Sequence, residues 1–459
     1  MAMAILTARK AARRPVRSVA ELVEASSPPD KGRAILRRAV PVVFLRATGA
    51  VLGLLFWVAL SRILGPSGVG VLRQGIAFLM VSAVVIRFGL DNVLLREVAI
   101  LVGRGDLGGA QGLVRRAMAF SLKVGCFVAV VVGCLALVFF GAERLASGDL
   151  VVWGICGLGA LPMAILTFAS EAQKGAGRAV WGTFLQFNAR NLIFLPALVV
   201  LIGGGGLALA GDTQIATRNT AGLLVGALVI AAGMGLASWY RRAGSSESPP
   251  LRPHLRSAIP LFQCALFGVA LEWLDTLVLG GFVSDADVGV YGAAVSAALV
   301  MSFLLYAANV IMAPRFAKAF EDGERALLER EAKSATRLML FVAIPAVTIL
   351  FFWGDVLIGT FGVGFEGAKS VFRILLLGHA FNMATGPVGY LLLMGRFEHT
   401  FRNNIAIAAC ADLILLAILV PMYGIVGAAW ATTTAMALVN LLHFMACRRE
   451  LGFSTIGGR

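Results

Sequence analysis

Four arginines lie inside long apolar runs of the sequence, where a permanent charge needs a partner or a function. They are Arg46, Arg73, Arg190 and Arg373. A charged side chain at the centre of a bilayer costs about 2.5–3.5 kcal/mol on insertion scales. The planar guanidinium donates paired hydrogen bonds to phosphate oxygens and stays protonated at all relevant pH values. The residue type therefore predicts a substrate site for an anionic, phosphate-bearing ligand within a membrane.

Arg190 is the leading candidate because it lies near the middle of its apolar run. Gln186 precedes it by about one helical turn, and Asn191 follows it directly, so the run has a polar centre. We predict that both neighbours support the cavity that Arg190 lines. The alternative is a structural network of buried hydrogen bonds.

The other arginines lie closer to the ends of their runs. Arg46 is about 9 Å deep at about 1.5 Å per residue, and its helical face contains Gly49 and Gly53, which are residues that pack against protein in membranes. It is predicted to face inward, with snorkelling to the headgroups as the alternative. Arg73 and Arg373 are predicted to continue the series of substrate-binding cations toward the outer side of the membrane. The alternative is that their side chains reach the outer membrane interface.

Three carboxylates also lie in apolar runs. Glu272 and Asp275 share a helical face, and Asp412 lies in a later run. Ionisable residues inside a membrane bundle are typical of proton and cation pathways in carriers. We predict a coupling or gating role for all three. A salt bridge from Glu272 or Asp275 to Arg46 or Arg190 is the structural alternative.

No residues of the sequence have the spacing of a catalytic or metal-binding centre. The six cysteines and four histidines are scattered without metal-ligand spacing. The sequence therefore predicts no catalytic residues, no metal site and no bound cofactor. Coupling to either H+ or Na+ stays open for the carboxylates.

The composition shows which surroundings must hold these charges. Of 459 residues, 59% are hydrophobic and 14% are charged, whereas soluble domains have about 45–50% and about 25%. This excludes a soluble enzyme, and no nucleic-acid partner is predicted despite a net charge of +15. Apolar windows of spanning length predict an all-α integral membrane protein with about twelve transmembrane helices.

The connections between these helices are alternately basic and nearly uncharged. Most of the 40 lysines and arginines fall on the side of both termini, which the positive-inside rule assigns to the cytoplasm. The predicted order of the chain is a basic, disordered tail at 1–40, an N-terminal lobe with helices 1–6 at 41–240, a cytoplasmic linker at 241–257, a C-terminal lobe with helices 7–12 at 258–446, and a cytoplasmic tail at 447–459.

A weak internal repeat relates the two lobes. A shift of 219 residues places Val69–Leu72 on Val288–Tyr291, each in the connection that follows the first helix of its lobe. Because each lobe has an even number of helices, both lobes begin on the same side of the membrane and are expected to be parallel repeats. Chance similarity in an apolar sequence is the alternative.

Four segments carry a family resemblance. In chain order they are Ala59–Gly70, Phe88–Ala99, Leu274–Gly280 and Val420–Thr432. Together they resemble the polysaccharide and oligosaccharide-lipid flippases of the multidrug/oligosaccharidyl-lipid/polysaccharide exporter superfamily. The resemblance implies a V-shaped pair of six-helix lobes around a central cavity. It also implies that a polyprenyl-pyrophosphate-linked oligosaccharide is flipped across the bacterial inner membrane, from the cytoplasmic to the outer leaflet, by alternating access.

The resemblance also implies partners and leaves rival functions open. The expected partners are a lipid-linked sugar substrate, membrane lipids, a polysaccharide polymerase and glycosyltransferases. Asp275, Asp412 and Thr432 resemble the cation site of some relatives, but Ala408 stands where those relatives carry an amide. The first alternative is a cation-coupled multidrug or toxin exporter of the same superfamily, and the second is a membrane polysaccharide polymerase.

Overall fold

The computed structural model describes the backbone of residues 31–145, 148–203, 213–241, 249–321 and 323–455. Residues 42–459 form one compact unit, and the following description concerns this unit. Residues 1–30 of the predicted N-terminal tail and residues 242–248 of the predicted linker lie outside the described residues.

Every regular element in these described ranges is a helix. In chain order the helices are α1 (Lys31–Arg87), α2 (Leu90–Gly103), α3 (Leu107–Leu145), α4 (Gly148–Leu158), α5 (Ala160–Gly175), α6 (Ala179–Phe184), a π-helical turn (Leu185–Ala189), α7 (Arg190–Gly203), α8 (Thr213–Trp239), α9 (Arg252–Phe282), α10 (Asp285–Glu321), α11 (Arg325–Gly359), α12 (Ala368–Thr385), α13 (Val388–Met394) and α14 (Glu398–Leu451).

Seven helical segments in the described part of the chain are long and apolar enough to cross a membrane. Those in α1 and α14 each contain two crossings, because the backbone turns at Gly65 (φ 66°) and Gly424 (φ 55°), in a left-handed conformation that glycine adopts readily. The long helices α3 and α10 and the broken pair of α12 and α13 complete the twelve crossings. The all-α membrane fold predicted from composition is confirmed.

The helix ends differ from the sequence prediction in four places. α1 begins at Lys31, ahead of the predicted start at 41, α9 begins at Arg252, ahead of 258, and α14 ends at Leu451, beyond 446. The basic segment 91–116 lies between two apolar windows, which predicts a cytoplasmic connection, but the structure shows that it is largely helical. Its helix α2 is amphipathic and buries Leu94 and Val98, and this burial stabilises helix in a segment that its charges mark as interfacial.

The crossings give the bundle two distinct ends. We call the end with Gly65 and Gly424 the kink end. The opposite end, where α1 finishes at Arg87 and α9 begins at Arg252, is called the basic end. Crossings 1–6, through α8, are called the first half, and crossings 7–12, from α9 to α14, the second half.

The two halves meet at the kink end in a symmetric contact between two glycines. A Cβ atom on Gly70 would overlap the carbonyl oxygen of Asp285, and one on Gly289 would overlap that of Pro66. The shift of 219 residues that relates Gly70 to Gly289 also relates Pro66 to Asp285. Each half therefore presents the same surface to the other, as in an isologous two-fold interface, which supports the internal repeat.

The main apolar core lies around this contact and is shared by both halves. Leu60 and Leu72 of the first half and Leu279 and Tyr291 of the second half are fully buried members of one cluster. The kink end of the bundle is therefore closed by packing between the halves.

Candidate functional site

Crossings 1 and 5 approach each other closely through a glycine and an irregular turn. A Cβ atom on Gly49 of α1 would lie 2.9 Å from the Cβ atom of Phe187. Phe187 belongs to the π-helical turn Leu185–Ala189, which separates α6 from α7. Single π-helical turns of this kind are frequent at functional sites. The turn lies directly before Arg190.

Asn188 fixes this turn against crossing 1. Its side-chain Nδ2 donates a hydrogen bond to the carbonyl oxygen of Leu45 at 2.8 Å, and its Oδ1 accepts one from the Thr48 hydroxyl at 3.0 Å. Asn188 is buried, so both ends of its amide are satisfied by the neighbouring helix. The register between crossings 1 and 5 is thereby set.

Arg46 and Arg190 make reciprocal ring contacts across this interface. The Cζ atom of Arg46, on crossing 1, lies 4.3 Å from the ring centroid of Phe187. The Cζ atom of Arg190, which follows the turn on crossing 5, lies 5.7 Å from the ring centroid of Phe56. Each helix therefore supplies one guanidinium and one ring. Contact with a ring face stabilises a cation without the neutralisation that a carboxylate would cause.

The two predicted supporting amides have different partners. Asn191 is buried and accepts a hydrogen bond from Arg190 Nε at 3.1 Å. Gln186 accepts one from Lys174 Nζ at 2.5 Å, and the same ammonium pairs with Glu171 at 2.7 Å. The structure thus brings Asn191 to Arg190 and places Gln186 beside an ion pair nearer the basic end.

Arg73 lies between tryptophans from the two halves of the molecule. Its Cζ atom is 5.1 Å from the ring centroid of Trp57 and 5.4 Å from that of Trp273. Its Nη1 is 3.5 Å from the Ser296 hydroxyl, and its Cδ fills the space where a Cβ of Gly292 would stand. Because Arg73 is only 3% exposed, it acts in this conformation as a contact between the halves.

Asp275 is buried and accepts hydrogen bonds on both of its carboxylate oxygens. The Tyr291 hydroxyl donates to Oδ2 at 2.5 Å, and the Thr432 hydroxyl donates to the same oxygen at 3.5 Å. Oδ1 accepts from the backbone N–H of Thr276 at 2.5 Å and from its hydroxyl at 3.1 Å. The carboxylate therefore connects α9, α10 and α14.

The predicted alternative of a salt bridge from these acids to Arg46 or Arg190 is not among the described ion pairs. The arginine that contacts α9 is instead Arg73, through the ring of Trp273, which lies directly after Glu272 in the chain.

Asp412 lines a cavity of about 350 Å³ within the second half. Its Oδ1 atom is buried and has no hydrogen-bond partner in the part of the chain that the structure describes. The polar residues around the cavity also include Asn382, Tyr390, Thr432, Asn440 and His443. No group of three or more His, Cys, Asp or Glu side chains among the described residues could hold a metal ion.

Arg373 has an acidic partner within the second half. Its Nη2 atom is 2.9 Å from Asp355 Oδ1, and Lys369 is 3.6 Å from the other oxygen of that carboxylate. The side chain of Arg373 is 42% exposed and lies near the ring of Phe351, at 5.8 Å from its centroid. Its recorded contacts all lie on crossings 9 and 10, away from the interface of crossings 1 and 5.

The sequence reasoning missed the aromatic residues that hold the charges. Phe56, Phe187 and Trp57 look like ordinary apolar residues in spanning runs, so no signal separated them from lipid-facing ones. Tyr291 did carry a signal, because the repeat aligns it with Leu72. A hydroxyl in place of a leucine within the repeated segment indicates that one half has acquired a polar partner there.

Known proteins similar to this chain share its architecture. The chain is 23% identical over 422 residues to the protein named Probable low-salt glycan biosynthesis flippase Agl15 of Haloferax volcanii, which covers 89% of this chain and 82% of that protein. An inward-facing multidrug resistance MATE family transporter superposes with a TM-score of 0.66 at 13% identity, over 90% of this chain and 98% of that chain. The lipid II flippase MurJ, in an inward closed conformation, superposes with a TM-score of 0.60 at 14% identity, over 89% and 87%.

The solved structures establish the fold, and the sequence establishes the family. Residues 40–320 match the family described as polysaccharide biosynthesis protein. The matched range is more than half of the chain and contains Arg46, Arg73, Arg190 and the acidic pair of α9. The chain therefore belongs to the polysaccharide biosynthesis protein family and has the transporter fold of the multidrug/oligosaccharidyl-lipid/polysaccharide exporter superfamily.

Proposed function

We propose that this protein flips a polyprenyl-pyrophosphate-linked oligosaccharide from the cytoplasmic to the outer leaflet by alternating access, for export of a cell-surface or secreted polysaccharide. The family membership, the relative named as a glycan flippase and the fold shared with a lipid II flippase support this function. The observation that carries it is the reciprocal ring contact of Arg46 and Arg190 between crossings 1 and 5.

The chemistry of such a substrate explains why the ring-bound guanidinium of Arg190 would be useful. A diphosphate headgroup must cross about 30 Å of hydrocarbon, so the path needs a cation whose charge is not cancelled by the protein. Arg190 forms no ion pair with a described residue, and a guanidinium can bind two phosphate oxygens at once. Arg73 and Arg373 rank second for this role because, in this conformation, Arg73 is buried and Arg373 is paired with Asp355.

The orientation in the membrane follows from the charges of the two ends. The basic end faces the cytoplasm in our proposal, because cytoplasmic connections of membrane proteins are enriched in Lys and Arg. Both termini then lie in the cytoplasm, and the protein resides in the bacterial inner membrane. A polysaccharide polymerase and glycosyltransferases are its expected partners in the same pathway.

The acids of the second half would couple transport to an ion gradient. Asp275 and Asp412 are buried carboxylates next to the hydroxyl of Thr432, and oxygen donors of this kind can bind either a proton or a small cation. We propose H+ or Na+ as the coupling ion, with no other cofactor and no chemical step.

A cation-coupled multidrug exporter is the second candidate because the cavity of the second half contains Asp412 and, among the described side chains, is lined by no Lys or Arg. Such a cavity suits an organic cation. The two candidates differ in which half binds the substrate: the arginines of the first half for the flippase, and the carboxylates of the second half for the exporter.

Proteoliposomes containing the purified protein provide the test. A fluorescent polyprenyl-diphosphate disaccharide is placed in one leaflet, and its exposure is followed with a membrane-impermeant quencher. A second set of vesicles is loaded with a fluorescent organic cation. We expect transport of the lipid-linked sugar only. Transport of the organic cation without movement of the lipid-linked sugar would overturn the proposal in favour of the exporter.

A further inference from the structure

A second cavity, of about 810 Å³, lies at the basic end of the first half. Three connections form its walls: the end of α2 with the start of α3, the connection from α5 to α6, and the last turns of α8. All are helix ends, so the cavity lies where the bundle passes from hydrocarbon to headgroups. It shares no lining residue with the arginine site or with the cavity around Asp412.

Two arginines line this cavity. Arg178 follows Gly177, whose φ of 78° makes a sharp turn, and Arg241 follows the end of α8. The guanidinium of Arg178 donates to Gln173 Oε1 at 3.2 Å. Gln173 is fully buried and donates in turn to the Ser238 hydroxyl at 2.9 Å. Arg178 is itself exposed, and this bond to a buried glutamine holds one of its guanidinium nitrogens in place.

The tryptophans of the cavity contribute ring surface. Trp181 Nε1 donates to Ser238 at 2.9 Å, so its N–H group is already engaged. Trp239 is 3% exposed and its Nε1 is buried, so a ligand in the cavity does not reach that N–H group. Among the described lining residues, the charged donors open to a ligand are therefore those of the two arginines.

The described acids beside the lining residues already have partners. Asp106 lies between the lining residues Gly105 and Leu107, and its Oδ1 accepts the backbone N–H of Gly109 at 2.7 Å, at the start of α3. Glu171 is paired with Lys174 at 2.7 Å. The two lining guanidiniums therefore favour a ligand that supplies negative oxygen atoms.

The remaining walls of the cavity are apolar. Val102, Leu107, Met234 and Ala237 line it beside the tryptophan rings. Tryptophan side chains favour the membrane interface, and basic pockets between helices at this depth bind anionic lipid headgroups. A free phosphate ion would satisfy the donors but would leave the apolar walls without contacts.

We propose that this cavity binds the phosphate headgroup of an anionic phospholipid, with its glycerol and the upper part of an acyl chain against the apolar walls. The arginines of the cavity contact the phosphate oxygens. The lipid would hold α2, α5 and α8 together at the basic end. This site is independent of the flippase function proposed above.

Native mass spectrometry of the full-length protein in detergent tests the proposal. The protein is titrated with phosphatidylglycerol or with phosphatidylcholine, and the lipid that stays bound is counted. We expect one phosphatidylglycerol to be retained selectively. The double variant Arg178→Gln/Arg241→Gln should bind it about thirtyfold more weakly, since each basic residue near a membrane surface contributes about fivefold.

The matched control is Arg96→Gln/Arg449→Gln, which removes two exposed arginines of the same end, each next to its own glutamate. It should retain the lipid. Arg178→Lys/Arg241→Lys, which keeps both charges, should show an intermediate loss and separate binding from misfolding.

Three results would overturn the proposal. Equal retention by the double glutamine variant and the control would show that the arginines of the cavity do not bind the lipid. Equal retention of phosphatidylcholine would show a nonspecific boundary lipid. Displacement of the lipid by millimolar glycerol 3-phosphate would show that the site recognises a free phosphate compound.

Discussion

The two halves of the molecule hold the charges of their spanning segments in opposite ways. In the first half, Arg46 and Arg190 are stabilised by the rings of Phe187 and Phe56. In the second half, the carboxylate of Asp275 is buried and accepts hydrogen bonds from hydroxyl groups and a backbone N–H. One half thus offers cations to a ligand, and the other offers oxygen atoms.

The same repeat that makes the halves similar shows where they diverged. Gly70 and Gly289 occupy equivalent positions and make equivalent contacts. Three residues further on, the shift of 219 relates Arg73 to Gly292, and the arginine side chain fills the space that the glycine leaves. The difference indicates that the backbone contact between the halves stayed symmetric, whereas only the first half has a charged side chain, that of Arg73, at this position.

The largest effect should come from removing the central cation of the first half. Arg190→Ala should slow transport of the lipid-linked sugar about a hundredfold, because two charge-assisted hydrogen bonds to phosphate contribute about 1.5–3 kcal/mol each and part of this is regained from water. Arg190→Lys should recover part of the rate. The vesicle assay described above measures both variants.

The control for this change is Arg373→Ala, which removes an arginine that is paired with Asp355 outside the arginine interface. It should keep most of the transport rate. If Arg190→Ala transports at the normal rate while the protein remains folded, the first half does not bind the phosphate and the contrast between the halves loses its functional meaning.

The next effect tests the acidic half. Glu272→Gln combined with Asp275→Asn should abolish the dependence of transport on a pH or Na+ gradient and lower the rate about tenfold, since the pair can no longer gain and lose an ionic charge. Transport is measured with each gradient imposed separately. Asp355→Asn, at a half-exposed acid outside this group, should leave the response intact, and an unchanged response in the double variant would assign Asp275 a structural role.

A smaller effect is expected where the halves are alike. Gly289→Ala should force the backbones of Pro66 and Gly289 apart, at about 1–3 kcal/mol for overpacking, and so favour opening of the kink end. Hydrogen exchange of the segments around Gly70 and Gly289 should then become about tenfold faster. Gly281→Ala is the control because a Cβ there meets no atom within 4 Å. Equal exchange in both variants would contradict a tight contact.

The sequence was sufficient for the fold because the membrane imposes it. Runs of spanning length must form helices to satisfy their backbone hydrogen bonds, so the twelve crossings followed from hydropathy. The positions of Gly65 and Gly424 within resemblance segments also predicted the turns. By contrast, α2 was missed because its charges resemble those of a loop, although its apolar face is buried against other helices.

The sequence predicted contacts within the site only where both interacting residues lie on the same helix. Arg190 and Asn191 are neighbours in the chain, and the structure joins them by a hydrogen bond. The contact of Arg73 with Trp273, and that of Gln186 with Lys174, depends on side chains that extend between helices. The positions of charged residues in the sequence do not determine such contacts, because several helices have polar side chains at the same depth that could serve as partners.

The smallest effect concerns how the arginines are held, and it separates the halves most directly. Phe187→Leu keeps an apolar side chain but removes the ring face under Arg46, at a cost of about 0.5–1 kcal/mol. We expect the KM for the lipid-linked sugar to rise about threefold with little change in kcat. Tyr291→Phe, in the other half, removes the hydroxyl that donates a hydrogen bond to Asp275. It should therefore change the dependence of the transport rate on the coupling ion and leave the KM for the lipid-linked sugar unaltered. If both variants changed KM alike, the rings and the hydroxyl would serve one common site, and cation binding and anion binding would no longer be divided between the halves.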